Sequence, residues 1–320
     1  MRPKNFSPKA ATTLVLKIGI SVALLALVLS RVPLQEALAA AAGLTPSAAA
    51  LAILSYFAAH AVNAGKLRVL LPGLSLWQAW RFTMIAVLFG TALPGQLAGD
   101  AVKAFRLARA APDVGEVTAA VAAVAVDKII GMFALLLLTA IGLGLNAATF
   151  GEEVVIAAGV ITVLIPVGLM VVLLAPLPAW LGKWGQEFAA WRTVALTPSA
   201  LLRSLALGVL FQILSIATFD ILGDALGIDL PLTAQAVSGR SMPLTAWAVI
   251  VGLISVILLL PVTVAGLGLR EGSLVAVLAM VGEGRGPALA LSFALLAINL
   301  LGAGVGLIVD LTGRDKNSSA

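Results

Sequence analysis

The chain contains no cysteine and a single histidine, His60. Disulfides, thiolate nucleophiles and cysteine-ligated metals are therefore excluded, and one imidazole cannot build a multi-histidine zinc or haem site. Charge is nearly as scarce. Only 11% of the 320 residues are charged, against about 25% in an average soluble domain. So few polar groups could not cover the surface of a protein in water. Apolar residues make up 61% of the chain, and the mean hydropathy is +1.11. Disordered chains are poor in such residues. Lipid is the solvent this composition anticipates, and the fold class expected is an all-α, polytopic integral membrane bundle.

A helix crossing a hydrocarbon core of about 30 Å needs about 20 residues. Apolar runs cover 13–29, 47–62, 81–93, 117–145, 154–175, 204–222, 244–260, 267–281 and 288–311. With loops allowed for, the length holds about seven or eight transmembrane helices and leaves no room for a separate soluble catalytic domain. The organisation expected is an N-terminal tail over 1–12, one transmembrane domain over 13–311 and a C-terminal tail over 312–320. A basic start before an apolar run also describes a signal peptide. Here Arg31 and Pro33 follow the run in place of a small-residue cleavage site, so it reads as a retained helix.

Basic loops stay in the cytoplasm. Arg2, Lys4, Lys9 and Lys17 place the N-terminus there, and Lys66, Arg68 and Arg81 mark the return of the first hairpin. Lys103, Arg106 and Arg109 form the next inner cluster, with one short apolar stretch between the two. A single crossing would put one cluster on the wrong side, so the segment at about 82–100 is expected to dip in and come back. Pro94, Gly95 and Gly99 fall where a helix breaks inside a membrane. Beyond it, Glu152 and Glu153 mark an outer loop, and Lys183, Arg192 and Arg203 an inner one. Asp224 and Asp229 are outer, Arg270 inner, Glu283 and Arg285 outer, and Arg314 and Lys316 inner. The expected location is the bacterial inner membrane, with both termini cytoplasmic. The net charge of +5 then reports orientation and attraction to anionic lipid; a nucleic-acid partner is not needed to explain it.

Two segments look alike. One is LPGQLAGDAVKAFRLAR, over 93–109, and the other is LPVTVAGLGLREGSLVAVL, over 260–278. Each begins with Leu-Pro, runs through glycines to charge and then resumes a helix. Paired, Gly/Pro-interrupted segments are the best sequence pointer to a transport site, because broken helices free backbone groups that survive only beside a polar cavity or buried in protein. A second re-entrant segment is expected over about 261–272. The helix-break residues are Pro94, Gly95, Gly99, Pro261, Gly266 and Gly268. The charged candidates there are Asp100, Lys103, Arg270 and Glu271.

Asp127 and Lys128 lie inside an apolar run. An ionisable group there costs roughly 2.5–3.5 kcal/mol on insertion scales, so it needs a partner or a wet cavity. Lys103 or Arg270 would serve Asp127, and an acid from another segment would serve Lys128; alternatively the helix starts later and both face water. Tyr56, His60 and Asn63 form one polar stripe, read as hydrogen bonds between helices. Asp220 shares a helix face with Gln212 and reads as solvated near the outer end. Trp77, Trp80 and Trp247 read as interfacial anchors. No GxSxG, Walker lysine loop or HExxH is present, and no metal or cofactor is expected.

These residues resemble the flippase-like transmembrane domain of the lysylphosphatidylglycerol synthase/flippase family, also found as stand-alone membrane proteins. Pro94, Gly95, Gly99, Asp100 and Lys103 are similar to its Pro-x-x-x-Gly-Asp-x-x-Arg pattern, with looser spacing and lysine for arginine. Asp127-Lys128 ahead of Gly131 is similar to its acidic–basic pair. Pro261 through Gly266, Gly268, Arg270, Glu271 and Gly272 is similar to its Gly-x-Gly-x-Arg-Glu-Gly signature. The resemblance spans nearly the whole chain. The family's aminoacyl-transferring domain has no counterpart in these residues, so the resemblance implies lipid translocation or handling without lysine transfer. The substrate would be a membrane lipid with a polar or charged head. Arg270 and Lys103 would hold its phosphate. Asp100, Asp127 and Glu271, beside Lys128, would balance the cations of the empty site or take a cationic head. Two other readings stand beside it. One is a membrane transferase acting on a lipid-linked substrate, with Asp100, Asp127 or Glu271 as base. The other is a non-catalytic subunit.

Overall fold

The computed structural model describes residues 34–93, 97–110, 117–146, 182–228, 243–258 and 268–314, with a few single positions elsewhere. Every regular element among them is a helix. In chain order these are α1 (Leu34–Ala41), α2 (Pro46–Leu70), α3 (Leu76–Ala92), α4 (Leu97–Ala110) and α5 (Val117–Leu145), then α6 (Gly182–Ala195), α7 (Pro198–Ala225), α8 (Leu244–Ile257), α9 (Leu269–Met280) and α10 (Arg285–Arg314). The apolar runs over 13–29 and 154–175 fall largely outside the described residues, as do Pro94, Gly95, Pro261 and Gly266.

Four of these helices, α2, α5, α7 and α10, are long and apolar enough to cross a membrane. Leu54, Leu145, Leu202 and Ile308 stand exposed on their outer faces. Apolar surface of that extent is a liability in water and an asset in lipid, and the protein is a membrane-embedded, multi-pass helical bundle.

The packing of α2 against α7 organises the molecule. Both begin with the same residues, Thr45-Pro46-Ser47-Ala48 and Thr197-Pro198-Ser199-Ala200. In each the threonine Oγ1 accepts the alanine N–H, at 3.2 Å and 3.3 Å, and proline takes the first helical position, where its missing N–H costs nothing. The two caps lie at opposite ends of the bundle. Gly43, just before α2, touches the Ala225 carbonyl at the end of α7. Arg68, near the end of α2, shares a groove with Ser199 and Arg203 at the start of α7.

The remaining helices form two hairpins. α3 has 17 residues and α4 has 14, about 25 Å and 21 Å at 1.5 Å per residue, so neither spans a hydrocarbon core alone. Gly99 near the start of α4 lies on α3: a Cβ there would stand 2.2 Å from the Ala86 carbonyl oxygen. α8 and α9 are shorter still, with 14 and 12 residues. α8 starts beside the end of α5, where Asn146 Nδ2 donates to Thr245 Oγ1 at 3.0 Å. α9 ends in the tight turn that opens α10, at the end of the bundle where Gly286 touches Glu36 of α1. Both therefore enter from and return to one end. Within the described residues α8, with 14 residues, is shorter than a full crossing, and Arg270 stands near the start of α9, in the stretch where a re-entrant segment is expected over about 261–272.

The outcome is two halves of like construction and opposite direction: α2, the α3–α4 hairpin and α5, then α7, the α8–α9 hairpin and α10. The repeat is visible in sequence once the structure points to it. Ala79-Trp80 precedes Leu93-Pro94 at the same spacing as Ala246-Trp247 precedes Leu260-Pro261. The two tryptophans have separated in role. Trp77 stacks on Trp80, their centroids 5.1 Å apart, and is 63% exposed, as an interfacial anchor should be. Trp247 is only 1% exposed and is a core residue instead. Its ring fills the slot left by Gly223, where a Cβ would lie 2.3 Å from Trp247 Cζ2. Each hairpin has its own apolar core. Leu67, Phe82, Ile85, Leu107 and Val126 gather around the first, and Leu135, Ile216, Ile250, Leu278 and Leu291 around the second.

Candidate functional site

Between those cores lies a cavity of about 330 Å³. The first hairpin brings Asp100 to it, α5 brings Asp127 and Lys128, and the second hairpin brings Arg270. The lining changes character along α5, from Asp127 and Lys128 through Gly131 to Leu135, two helical turns further on. Phe219, Val251 and Leu274 continue the apolar wall. The chamber is thus amphipathic along its length, charged near one end and greasy toward the other.

The charges form a chain. Asp127 sits between two lysines, with Lys66 Nζ 3.3 Å from Oδ1 and Lys103 Nζ 3.2 Å from Oδ2. Lys66 also donates to the Asp127 carbonyl at 2.9 Å. Lys103 reaches Asp100 at 3.5 Å, and Asp100 in turn meets Lys128 at 3.4 Å. Lys66, Lys103 and Asp127 are buried, whereas the Lys128 side chain is 44% exposed. Burial of so many charges is tolerable only because each has an oppositely charged neighbour. Gly131 makes room for one of them: a Cβ there would lie 3.1 Å from Lys66 Nζ. The Lys66 ammonium also lies 5.6 Å from the centre of the Phe211 ring, within reach of a cation–π attraction.

At the other tip, Gly268 adopts φ 78°, a conformation that glycine alone enters without strain. That turn lets Glu271 fold back to accept the Gly268 N–H at 2.6 Å, capping α9. Ser292 donates to the same carboxylate at 3.4 Å and Arg270 at 3.2 Å. Glu271 is 0% exposed, and its bond to Arg270 fixes the guanidinium at the cavity wall.

Of the charged residues singled out from sequence, Asp100, Asp127, Lys128 and Arg270 line the chamber, while Lys103 and Glu271 stand behind the wall and hold its members. Of the two partners named for Asp127, Lys103 or Arg270, the structure brings Lys103 to it, and Asp100 is the acid that meets Lys128. Gly99 and Gly268 sit at a close helix approach and at a cap. Sequence reasoning missed Lys66, which had served only as a mark of orientation. The signal was there: Lys66 follows Asn63 by one turn and extends the Tyr56–His60–Asn63 stripe. Asn63 and Gln212 also line the chamber, and Gln212 Nε2 donates to the Gly131 carbonyl at 2.9 Å. Asp220, on the face of α7 that also carries Gln212, borders a separate cavity with Thr45 and Asp224.

A second, partly buried pair braces the first hairpin from outside the chamber. Arg106 of α4 grips Asp310 of α10 through both carboxylate oxygens. Among the described residues no cluster of histidine, aspartate and glutamate has the makings of a metal site.

The fold and chamber define a helical membrane protein that admits charge to its interior through two facing hairpins. The chain belongs to the family described as the lysylphosphatidylglycerol synthase TM region, whose model matches residues 14–302. A comparison with curated proteins finds no match. Membership points to a membrane role connected with lipid.

Proposed function

We propose that the protein moves a lipid with a phosphate-bearing polar head between the leaflets of the bacterial inner membrane, with the head in the charged end of the chamber and the chains along its apolar wall. The observation that carries this reading is the placement of Arg270 and Lys128, from opposite halves of the molecule, on one amphipathic cavity. The charged set adds to it. Lys66, Lys103, Lys128 and Arg270 face Asp100, Asp127 and Glu271, leaving one positive charge in excess, which suits a phosphodiester. Lys128 and Arg270 supply the contacts: arginine as a planar fork, lysine as a point charge. Asp100 holds Lys128 until a phosphate competes for it. With the apolar runs over 13–29 and 154–175 counted as crossings, six crossings and two hairpins put both termini on one side, which the positive-inside rule makes the cytoplasm.

The test is lipid movement in vesicles holding the purified full chain and a phosphatidylglycerol with a fluorescent acyl chain. Wild-type protein should expose inner-leaflet label to an impermeant quencher. Lys128→Gln combined with Arg270→Gln should slow this by about tenfold or more, since a hydrogen bond to a charged group contributes about 1.5–3 kcal/mol. An unchanged rate in a variant that keeps its unfolding temperature overturns the site. A chemically altered lipid in the vesicles would indicate an enzyme instead.

A further inference from the structure

A second concave site lies at the end of the bundle where α2 finishes and α7 begins. It is a groove of about 480 Å³, and Arg68 and Arg203 reach it from those two helices. Both side chains belong to exposed residues, and neither has an acidic partner among the described residues. The contrast with the rest of the bundle is what makes the pair informative. Asp127, Asp100, Glu271 and Asp310 each hold a cation; these two guanidiniums converge on one groove with nothing negative between them.

The surroundings favour a particular kind of anion. Thr197 and Ser199 add hydroxyls to the groove, and Leu76 borders it. Leu76 in the groove wall is itself 51% exposed, and Leu202, beside Arg203 in sequence, is 70% exposed, so exposed apolar side chains accompany the basic pocket. A soluble anion gains nothing from that apolar rim, whereas a phospholipid satisfies both parts: its phosphate takes the arginine forks and its chains lie on the leucines. Basic pockets between transmembrane helices bind lipid heads in this manner.

We propose that the groove between α2 and α7 binds the phosphate of an anionic phospholipid at the membrane interface. The site is separate from the central chamber and independent of whether that chamber transports lipid. It holds a lipid of the surrounding leaflet at the seam between the two halves, and occupancy ties α2 to α7.

Thermal unfolding of the full-length protein in neutral detergent tests this, with phosphatidylglycerol, phosphatidylcholine or inorganic phosphate added. Phosphatidylglycerol should raise the unfolding temperature of the wild type, and phosphatidylcholine should not. Arg68→Gln with Arg203→Gln should raise the phosphatidylglycerol concentration needed for half the effect by about tenfold or more, each basic residue near a lipid surface contributing about 1 kcal/mol. Arg68→Lys with Arg203→Lys should restore part of it. Both residues are exposed, so the glutamine variant should fold, and its unfolding temperature without lipid checks that. An equal response of the glutamine variant, or none in the wild type, overturns the site. A response to inorganic phosphate equal to that to phosphatidylglycerol overturns the lipid and leaves a free-anion site. Phosphatidylglycerol held in the central chamber would also raise the unfolding temperature, so the titration is repeated on the Lys128→Gln, Arg270→Gln background. A response there that is lost with Arg68 and Arg203 belongs to the groove and stands or falls apart from the transport reading.

Discussion

Asp127 carries more of the structure than any other charged residue of the chamber. Its carboxylate is shared by Lys66 and Lys103, and all three are buried. Removing the acid would leave two ammonium groups together in a poorly solvated place. Asp127→Ala should therefore cost about 3–5 kcal/mol of stability, the range for breaking a buried ion pair. Lys128→Ala should cost less than about 1 kcal/mol, because that side chain is 44% exposed and its ion pair is solvated. Unfolding temperatures of the two variants in one detergent check this, and equal losses would mean that the buried chain is not the structural element described. At this scale the sequence was partly legible. An acid and a base within an apolar run demand partners, and that demand pointed Asp127 toward Lys103 or Arg270, of which Lys103 is the one it meets. Lys66 was harder to see. A lysine near a span end has the same linear context whether it marks the cytoplasm or turns inward, and only the packing of α2 against α5 distinguishes the two.

Helices in this bundle meet through glycines. Where α5 crosses α8, Gly142 faces the Thr245 carbonyl and Gly252 faces Thr139. Thr139 Oγ1 donates to the Leu135 carbonyl at 2.8 Å and to the Ala248 carbonyl at 3.2 Å, so one hydroxyl serves both helices. A Cβ on Gly252 would stand 2.1 Å from that oxygen. Gly252→Ala should destabilise the protein by about 1–3 kcal/mol, the usual cost of overpacking. Thr139→Ala should relieve part of it, so that the double variant costs less than the sum of the singles. Full additivity, measured by unfolding in detergent, would show that the crossing is not the point of contact. Element boundaries followed closely from hydropathy for α5 and α10, where long apolar runs leave no choice. For α8 and α9, hydropathy was misleading. Each run is apolar enough to look like a crossing, whereas the Leu-Pro break between them pointed to a re-entrant segment over about 261–272, and helix length with the shared end of the bundle describes it as a hairpin.

At the scale of the molecule, the feature that matters is the opposite direction of the two halves. Inverted repeats place a binding site where the halves meet, near mid-membrane, and allow access to alternate as one half moves against the other. Here Asp100 near the start of α4 and Arg270 near the start of α9 line the same chamber, and α2 and α7 form the seam with their matching caps at opposite ends. Those caps make the arrangement testable, because a chain without cysteine offers no background to a thiol reagent. Ser47 and Ser199 are equivalent residues of the two Thr-Pro-Ser-Ala caps, and both are exposed. The basic end, with Arg68 and Arg203, should face the cytoplasm by the positive-inside rule, and the end with Asp220 and Asp224 should face outward. In spheroplasts expressing Ser47→Cys, an impermeant maleimide should label the protein directly. In those expressing Ser199→Cys, labelling should require permeabilisation. The reverse pattern would invert the molecule in the membrane and leave the repeat intact. Labelling of both from one side would remove the inverted repeat itself, and with it the reason that two hairpins from opposite faces should share one chamber.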